Sequence, residues 1–369
     1  MTRAWRTDRE MATVLTLPSN SPSIEPRVHG SIHRGPAKLA CALAVLWALT
    51  PAVAFAAPPR LSLPIDCEVG NGCQIQNYAD NDAGPAARDF ACGGRTYDGH
   101  KGTDFRIRDT AAMMKGVKVL AGADGVVKAI RDDMADISIR DPGAGDISGR
   151  ECGNGVVLEH GDGWVTQYCH LRRGSVRVGP GETVARGAVL GEVGLSGFAE
   201  FAHVHFEVRN GDTVVDPFTG KGFSARSAAQ CERADGDSAL WDARTLAALA
   251  YKPAAFLSGG FAGEPVKLDA AERAPPPAPS SASPALVAYA RVLGVRAGDM
   301  ETLTIMDPGG AIFGAKGPAA IAAPKAQWLS FFGRKRSSRP WPPGQYSATY
   351  RLERDGRVLI DERFSIRLE

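Results

Sequence analysis

The stretch Phe201-Ala202-His203-Val204-His205-Phe206-Glu207-Val208 spaces two imidazoles and a carboxylate two residues apart. In an extended strand successive side chains alternate sides, so His203, His205 and Glu207 share one face and Val204, Phe206 and Val208 the other. Such a strand has a chemical face and a core face, and imidazoles one pleat apart can hold a metal on a rigid element. A bare H-x-H reads more readily as hydrogen-bonded surface or core histidines, so its companions decide. In Gly99-His100-Lys101-Gly102-Thr103-Asp104-Phe105 the glycines argue against a helix. An extended segment, or a glycine turn into a strand at Thr103, lets His100 and Asp104 converge. Taken alone, that stretch reads more readily as a turn with an Asp cap and an exposed His. His170, near the end of Trp164–Leu171, is a further candidate, whereas His160 beside a turn is expected to be structural or solvated.

Short strands must position these groups. Residues 117–127 and 176–193 alternate apolar residues with glycine-bearing turns, the pattern of an all-β sandwich or barrel. Residues 155–160 and 164–171 flank Gly161-Asp162-Gly163, a hairpin signal. That hairpin puts Cys152 and Cys169 on neighbouring strands, where a disulfide is expected. The register is offset by about two residues, so a bulge is needed to bring the two Cβ atoms within reach.

A chain of 369 residues suggests two or three units, and 44% hydrophobic content excludes wholesale disorder or a multi-span membrane protein. The charges of residues 58–369 nearly cancel, so nucleic acid and other polyanions are not indicated as partners. Residues 1–57 read as a leader and secretory signal. Arg34 and Lys38 precede an apolar run from Leu39 to Leu49, Pro51 breaks it, and Ala54-Phe55-Ala56 offers small residues for cleavage. A membrane anchor is the alternative, but the run is short, so membrane contact is expected only transiently through the signal. After the leader six cysteines remain: Cys67, Cys73, Cys92, Cys152, Cys169 and Cys231. Three disulfides in an oxidising compartment are expected, because no C-x-x-C pair exists to build a cysteine zinc site.

The remaining boundaries follow composition. Residues 58–96 read as Cys-rich loops stapled by disulfides, and residues 97–222 as the domain carrying the histidines. Residues 223–270 read as a partly helical extension, with an amphipathic helix from an N-cap at Ser238 to Tyr251. Residues 271–284 read as a Pro/Ala/Ser linker, and residues 285–369 as a small antiparallel β-sandwich, Ig-like in architecture. That last segment has neither His nor Cys. Its cluster Arg334, Lys335, Arg336 and Arg339 reads as a solvated loop before it reads as a site for anionic envelope polymers.

An exported β domain with H-x-x-x-D, Tyr168-Cys169-His170-Leu171, Gly194-Leu-Ser-Gly197 and His203-Val204-His205-Phe206-Glu207 resembles the lysostaphin-type, or LytM-domain, zinc metallopeptidases. Those enzymes cut peptide cross-links in bacterial peptidoglycan. The resemblance spans residues 97 to 220, and the glycine-punctuated strands around Gly122–Gly125 and Gly179–Gly194 look like that family's two half-motifs. It implies a mainly β chain: a LytM-type duplicated-hybrid-motif β domain with a disulfide-stapled N-terminal segment, followed by the sandwich. Carried over by position, it makes His100, Asp104 and His205 the ligands of a Zn2+ cofactor and gives His203 and His170 the acid/base and transition-state roles. Two neutral imidazoles and one carboxylate would leave the fourth tetrahedral position for water. His203 would then take or relay the proton while His170 helps stabilise the oxyanion. Glu207 reads either as an orienting partner of a ligand or as a strand-end carboxylate.

The run Phe198-Ala-Glu-Phe-Ala202 departs from the family's small-residue run before H-x-H and is expected to reshape the substrate groove. The expected function is therefore a periplasmic or secreted zinc endopeptidase acting on peptidoglycan stem peptides or cross-links. The alternatives are a non-catalytic LytM-like envelope protein that binds or activates another hydrolase, and an exported peptidase acting on Gly-rich proteins. An envelope partner is assigned to the C-terminal sandwich.

Overall fold

The computed structural model describes residues 57–223 and 238–369. The expected leader, save its last residue, and Cys231 lie outside them. Before residue 224 the chain runs β1 (Cys73–Ile75), β2 (Thr103–Ile107), helix α1 (Thr110–Met114), β3 (Lys118–Leu120) and β4 (Gly125–Arg131). It continues with β5 (Asn154–Glu159), β6 (Trp164–Leu171), β7 (Thr183–Val184), β8 (Val189–Glu192), β9 (His203–Asn210), β10 (Thr213–Asp216) and β11 (Lys221–Gly222). The main sheet has the order β1-β2-β9-β6-β5-β4-β7, with β10 on the far half of β9, β11 on β10, and β3 paired with β8 apart from it. The H-x-H strand is thus central, with Asp104 of β2 opposite His205 on one side and Cys169 of β6 opposite it on the other.

The alternation on β9 has the expected consequence. Val204, Phe206 and Val208 are at most 1% exposed and join Phe105, Tyr168 and Trp241 in one core. Burying each large apolar side chain is worth about 1.5–3 kcal/mol. A one-residue slip would send that row to the groove and the histidines into the core, so the core face fixes the register of the chemical face.

β5 and β6 form the expected hairpin, with Gly161, Asp162 and Gly163 all at positive φ. Cys152 and Cys169 are bridged, and the ladder shifts register between Asn154 and Gly155, the bulge that the offset required. Cys67 is bridged to Cys73, and Cys92 is also disulfide-bonded. The Cys-rich segment is more than loop. Its Ile75 pairs with Phe105 through β1, and Leu61, Ile65 and Tyr78 enter the common core. Three strand residues are too few to show a period in the sequence.

The helix expected from Ser238 is shorter and starts later. It is α2 (Ala243–Ala248), capped by Asp242, whose side chain accepts from the Thr245 amide at 2.7 Å. Trp241 instead bridges to Leu61 and is 1% exposed, so indole burial sets the backbone there.

The second β layer pair comprises β12 (Ala255–Ala262), β13 (Ala285–Val295), β14 (Met300–Met306), β15 (Ile312–Ala320), β16 (Lys325–Lys335), β17 (Gly344–Arg354) and β18 (Arg357–Leu368). Sheets β12-β13-β16 and β15-β14-β17-β18 share a core that includes Leu286, Val292, Leu303, Ile305, Tyr346 and Tyr350. This is the expected antiparallel sandwich, yet it begins before residue 285. β12 lies in the segment read as a partly helical extension. Gly259 and Gly260 blank the alternation there, and a Cβ on Gly259 would sit 2.7 Å from the Phe256 ring and 2.8 Å from that of Phe364. Ala262 lies opposite Val287, so residues 263–284, with helix α3 (Leu268–Arg273), connect neighbouring strands of one sheet. The Pro-rich stretch is an excursion within the sandwich.

Candidate metal centre

The chemistry-bearing side chains stand on β2, β6, β9 and the loop before β2. Asp104 Oδ1 lies 3.1 Å from His100 Nε2 and 2.9 Å from His205 Nδ1, and the two ring nitrogens are 3.2 Å apart. His100 and Asp104 are each 3% exposed, so the alternative of an exposed histidine in a capped turn does not hold. Gly102 makes the convergence sterically feasible. A Cβ there would meet the Phe206 carbonyl at 2.6 Å and the His205 ring at 2.7 Å.

These donors have a supporting shell. The Tyr78 carbonyl accepts from His100 Nδ1 at 2.7 Å, which leaves Nε2 as the free donor atom of that ring. Asn77 Nδ2 donates to Asp104 Oδ2 at 2.8 Å, which leaves Oδ1 aimed at the two imidazoles. Glu207 Oε2 approaches His205 Nε2 at 3.8 Å, on the side away from Asp104. Asn77 and Tyr78 come from the segment expected to be loops. Their signal is a backbone carbonyl and an amide at long sequence separation, which no local spacing encodes.

His203 and His170 share the same face, with ring centroids 4.6 Å apart. His203 Nδ1 donates to the Phe201 carbonyl and His170 Nδ1 to the Ser196 carbonyl, each at 2.8 Å. A carbonyl only accepts, so both neutral rings carry their proton on Nδ1 and present Nε2 as a bare acceptor. His170 has φ of 65°, a left-handed conformation unusual for a non-glycine residue. Its amide is held there by the Cys152 carbonyl at 2.8 Å, beside the Cys152–Cys169 bridge.

The electrostatics separate these groups. Burial alone would raise the Asp104 carboxyl, but His100 and His203 beside it, and its bonds to His100 and His205, hold it well below the usual carboxylate range. Burial lowers His170 well below its ordinary value and lowers His203 as well, keeping both neutral. His205 goes the other way: against burial, the Asp104 and Glu207 carboxylates push it up to about 9.

His100, His170, His205, Glu207 and Arg209 line an open groove of about 370 Å³ together with Tyr97 and Phe198. Phe198 is 53% exposed at its lip, so this side chain of the departing run does reach the groove. His160 lies elsewhere, bonded to the Asp124 carbonyl and Thr166, as a structural residue.

His100, Asp104 and His205 each offer a ligand atom, and the three atoms lie within 4.8 Å of one another. Two imidazole nitrogens and one carboxylate oxygen fit zinc, which takes such N/O sets with an open position in catalytic sites. Nδ1 of His205 and Nε2 of His100 are the nitrogens that their outer partners leave available.

Part of the chain is similar to known proteins. Residues 98–217 match the model of Peptidase family M23. Cell division protein DipM of Caulobacter vibrioides is 42% identical over 64 residues, covering 17% of this chain and 10% of that protein. Peptidoglycan DD-endopeptidase ShyA of Vibrio cholerae is 34% identical over 109 residues, 30% of this chain and 20% of that protein. The chain thus matches a fifth or less of the length of these two relatives. A zinc-containing peptidase from Vibrio cholerae of known crystal structure is 26% identical, covering 43% of this chain and 39% of that one, with a TM-score of 0.29. Residues 98–217, which carry His100, Asp104, His170, His203 and His205, form a domain of the lysostaphin-type peptidase family M23.

Proposed function

We propose that this chain is an exported zinc metallo-endopeptidase that hydrolyses peptide bonds in peptidoglycan stem peptides or cross-links. The observation that carries the reading is the convergence of His100 Nε2, Asp104 Oδ1 and His205 Nδ1 beside the neutral imidazoles of His203 and of His170, which lines the open groove. Similarity to a protein named a peptidoglycan DD-endopeptidase supports the substrate class. The disulfides Cys67–Cys73 and Cys152–Cys169 support export to the periplasm or beyond.

His100, Asp104 and His205 would hold the zinc, which when bound supplies a Lewis acid for the scissile carbonyl and lowers the pKa of water. His203 acts as general base: its Nδ1 is committed to Phe201, so Nε2 receives the proton of the attacking water. His170 also starts as an acceptor at Nε2. It becomes a hydrogen-bond donor to the oxyanion only after taking up a proton from solvent, which its burial makes transient, and His203 returns its proton to the amine nitrogen as the peptide bond breaks. Glu207 orients the His205 ring from behind, and Phe198 narrows the groove mouth.

The test is zinc content of the purified chain together with mass spectrometry of peptides released from peptidoglycan. One zinc per chain with new cross-link fragments is expected. Zinc-loaded protein that releases peptides only from a Gly-rich protein would overturn the substrate, and absence of zinc would favour a non-catalytic envelope role.

A further inference from the structure

Arg106 lies directly across from His203 in the β2–β9 ladder, two residues beyond Asp104, and is 0% exposed. A guanidinium in such a place has no water to solvate it, so its partners come from the protein. Nη1 donates to Gln76 Oε1 at 2.8 Å and to Gln327 Oε1 at 3.0 Å, and Nη2 donates to Glu272 Oε2 at 2.6 Å. The other oxygen of Glu272 accepts from Arg291 Nη2 at 2.5 Å and from the Gln327 amide. Arg291 is itself 1% exposed and donates to the carbonyls of Arg108 and Ala271. Glu272 stands on α3, Arg291 on β13 and Gln327 on β16, so the counter-charge and two of its neighbours belong to the sandwich and its excursion. Burial pulls the Arg106 guanidinium down to about 10, and Glu272 is the main charge opposing that.

The opposite side of Arg106 leads to the histidine face. Its guanidinium carbon lies 4.2 Å from the centroid of the Phe201 ring. That ring lies 4.7 Å from the His203 ring, and the Phe201 carbonyl is the acceptor that fixes the His203 tautomer. Phe201 belongs to the run that departs from the small residues of the family, and Arg106 gives that departure a partner.

We infer that Glu272 is a positioning residue for the histidine face: acting through Arg106 and Phe201, it fixes the His203 ring and makes the sandwich a structural part of the site. This rests on the role proposed above for His203. Without the carboxylate, Arg106 and Arg291 lose the anion they share, the buried cation loses its counter-charge, and the aromatic ring stacked on it is released. The zinc ligands keep their own supports in Tyr78, Asn77 and Glu207, so the metal stays.

The test uses the full chain with zinc added and imidazole NMR of its histidines. Glu272→Gln and Phe201→Leu are each expected to shift the His203 ring resonances, to leave those of His160 in place and to retain one zinc. Phe201→Leu removes the ring itself and sets the size of the His203 shift to expect, while Glu272→Asp keeps the charge, reports where Glu272→Gln folds poorly, and is expected to shift His203 less. Glu301→Gln is the control: Glu301 is a 3% exposed carboxylate of the sandwich, paired with Lys316 and Trp328. It is expected to lower stability without moving His203. On peptidoglycan peptides kcat should fall about tenfold in both test variants with KM unchanged, a typical effect for a residue that orients an active-site group. His203 resonances unmoved by Glu272→Gln, or moved as far by Glu301→Gln, would overturn the inference. Absence of turnover in the parent chain would instead overturn the peptidase reading, and the NMR comparison would still decide this one.

Discussion

Across the β2–β9 ladder Asp104 stands opposite His205, with Oδ1 2.9 Å from Nδ1. Two central strands, both pinned by their core faces, therefore carry a carboxylate and an imidazole to the same point, and His100 reaches it from the preceding loop at 3.1 Å from that oxygen. Removing any one of the three leaves two donors, too few for a stable zinc site. His205→Ala is expected to lose bound zinc, measured by elemental analysis of the dialysed protein. Stoichiometric zinc in that variant would refute the ligand set.

His203→Ala separates binding from catalysis. It removes a group that faces the site but is not among the three converging donors. Zinc should stay at one per chain while turnover of peptidoglycan peptides falls about 10²–10⁴-fold, the usual contribution of a positioned general base. Turnover unchanged, with zinc retained, would remove His203 from the mechanism.

Gly102→Ala is a steric test of the same centre. The added methyl would stand 2.7 Å from the His205 ring and 2.6 Å from the Phe206 carbonyl, inside van der Waals contact. The neighbouring carbonyl is in the β9 ladder and cannot give way, so the His205 ring must. Zinc affinity is expected to drop by at least about tenfold with little change in far-ultraviolet circular dichroism. Affinity equal to the parent would mean that the strand end is looser than the packing indicates.

These residues also show where sequence reading reached and where it stopped. Period-two alternation exposed the two faces of β9, because Val204, Phe206 and Val208 form an unbroken apolar row and the histidines fill the other register. The hairpin and its bulge were legible because Gly161-Asp162-Gly163 fixes one end and two cysteines mark the other. Asn77, Tyr78 and Ser196 were not. Two of them act through backbone carbonyls, which every residue has, and Asn77 acts from 27 positions away in a loop. Arg106 is the instructive case. Its spacing from Asp104 already places it on the chemical face, but its charge makes sense only beside Glu272, 166 residues on in a Pro-flanked excursion that reads as a linker.

The Cys152–Cys169 bridge closes a 17-residue separation directly beside His170. Its loss should cost about 3 kcal/mol by freeing the unfolded chain. In the folded state it also frees the Cys152 carbonyl that holds the His170 amide at positive φ. The double variant Cys152→Ser/Cys169→Ser is therefore expected to unfold at lower urea concentration, to keep zinc, and to lose turnover. Unchanged turnover at full occupancy would show that His170 is held without the bridge.

Glu272 yields a prediction in acid. Burial would raise its carboxyl, but Arg106 and Arg291 beside it outweigh that and hold it below its ordinary value of 4.5. A folded value below the unfolded one means that the unfolded chain binds more protons near that pH, so stability rises with pH across the window. The ion network contributes fully above about 4.5 and is lost as pH falls through the lower, folded value. Glu272→Gln has no carboxylate to protonate and leaves Arg106 and Arg291 without their shared anion at every pH. Breaking such a buried pair costs on the order of 3 kcal/mol. The stability gap between the parent chain and Glu272→Gln should therefore be constant from pH 7 to about 5 and close progressively below it, as followed by urea unfolding at a series of pH values. A gap that persists undiminished in strong acid would mean that Glu272 stabilises the joint by packing and not by charge.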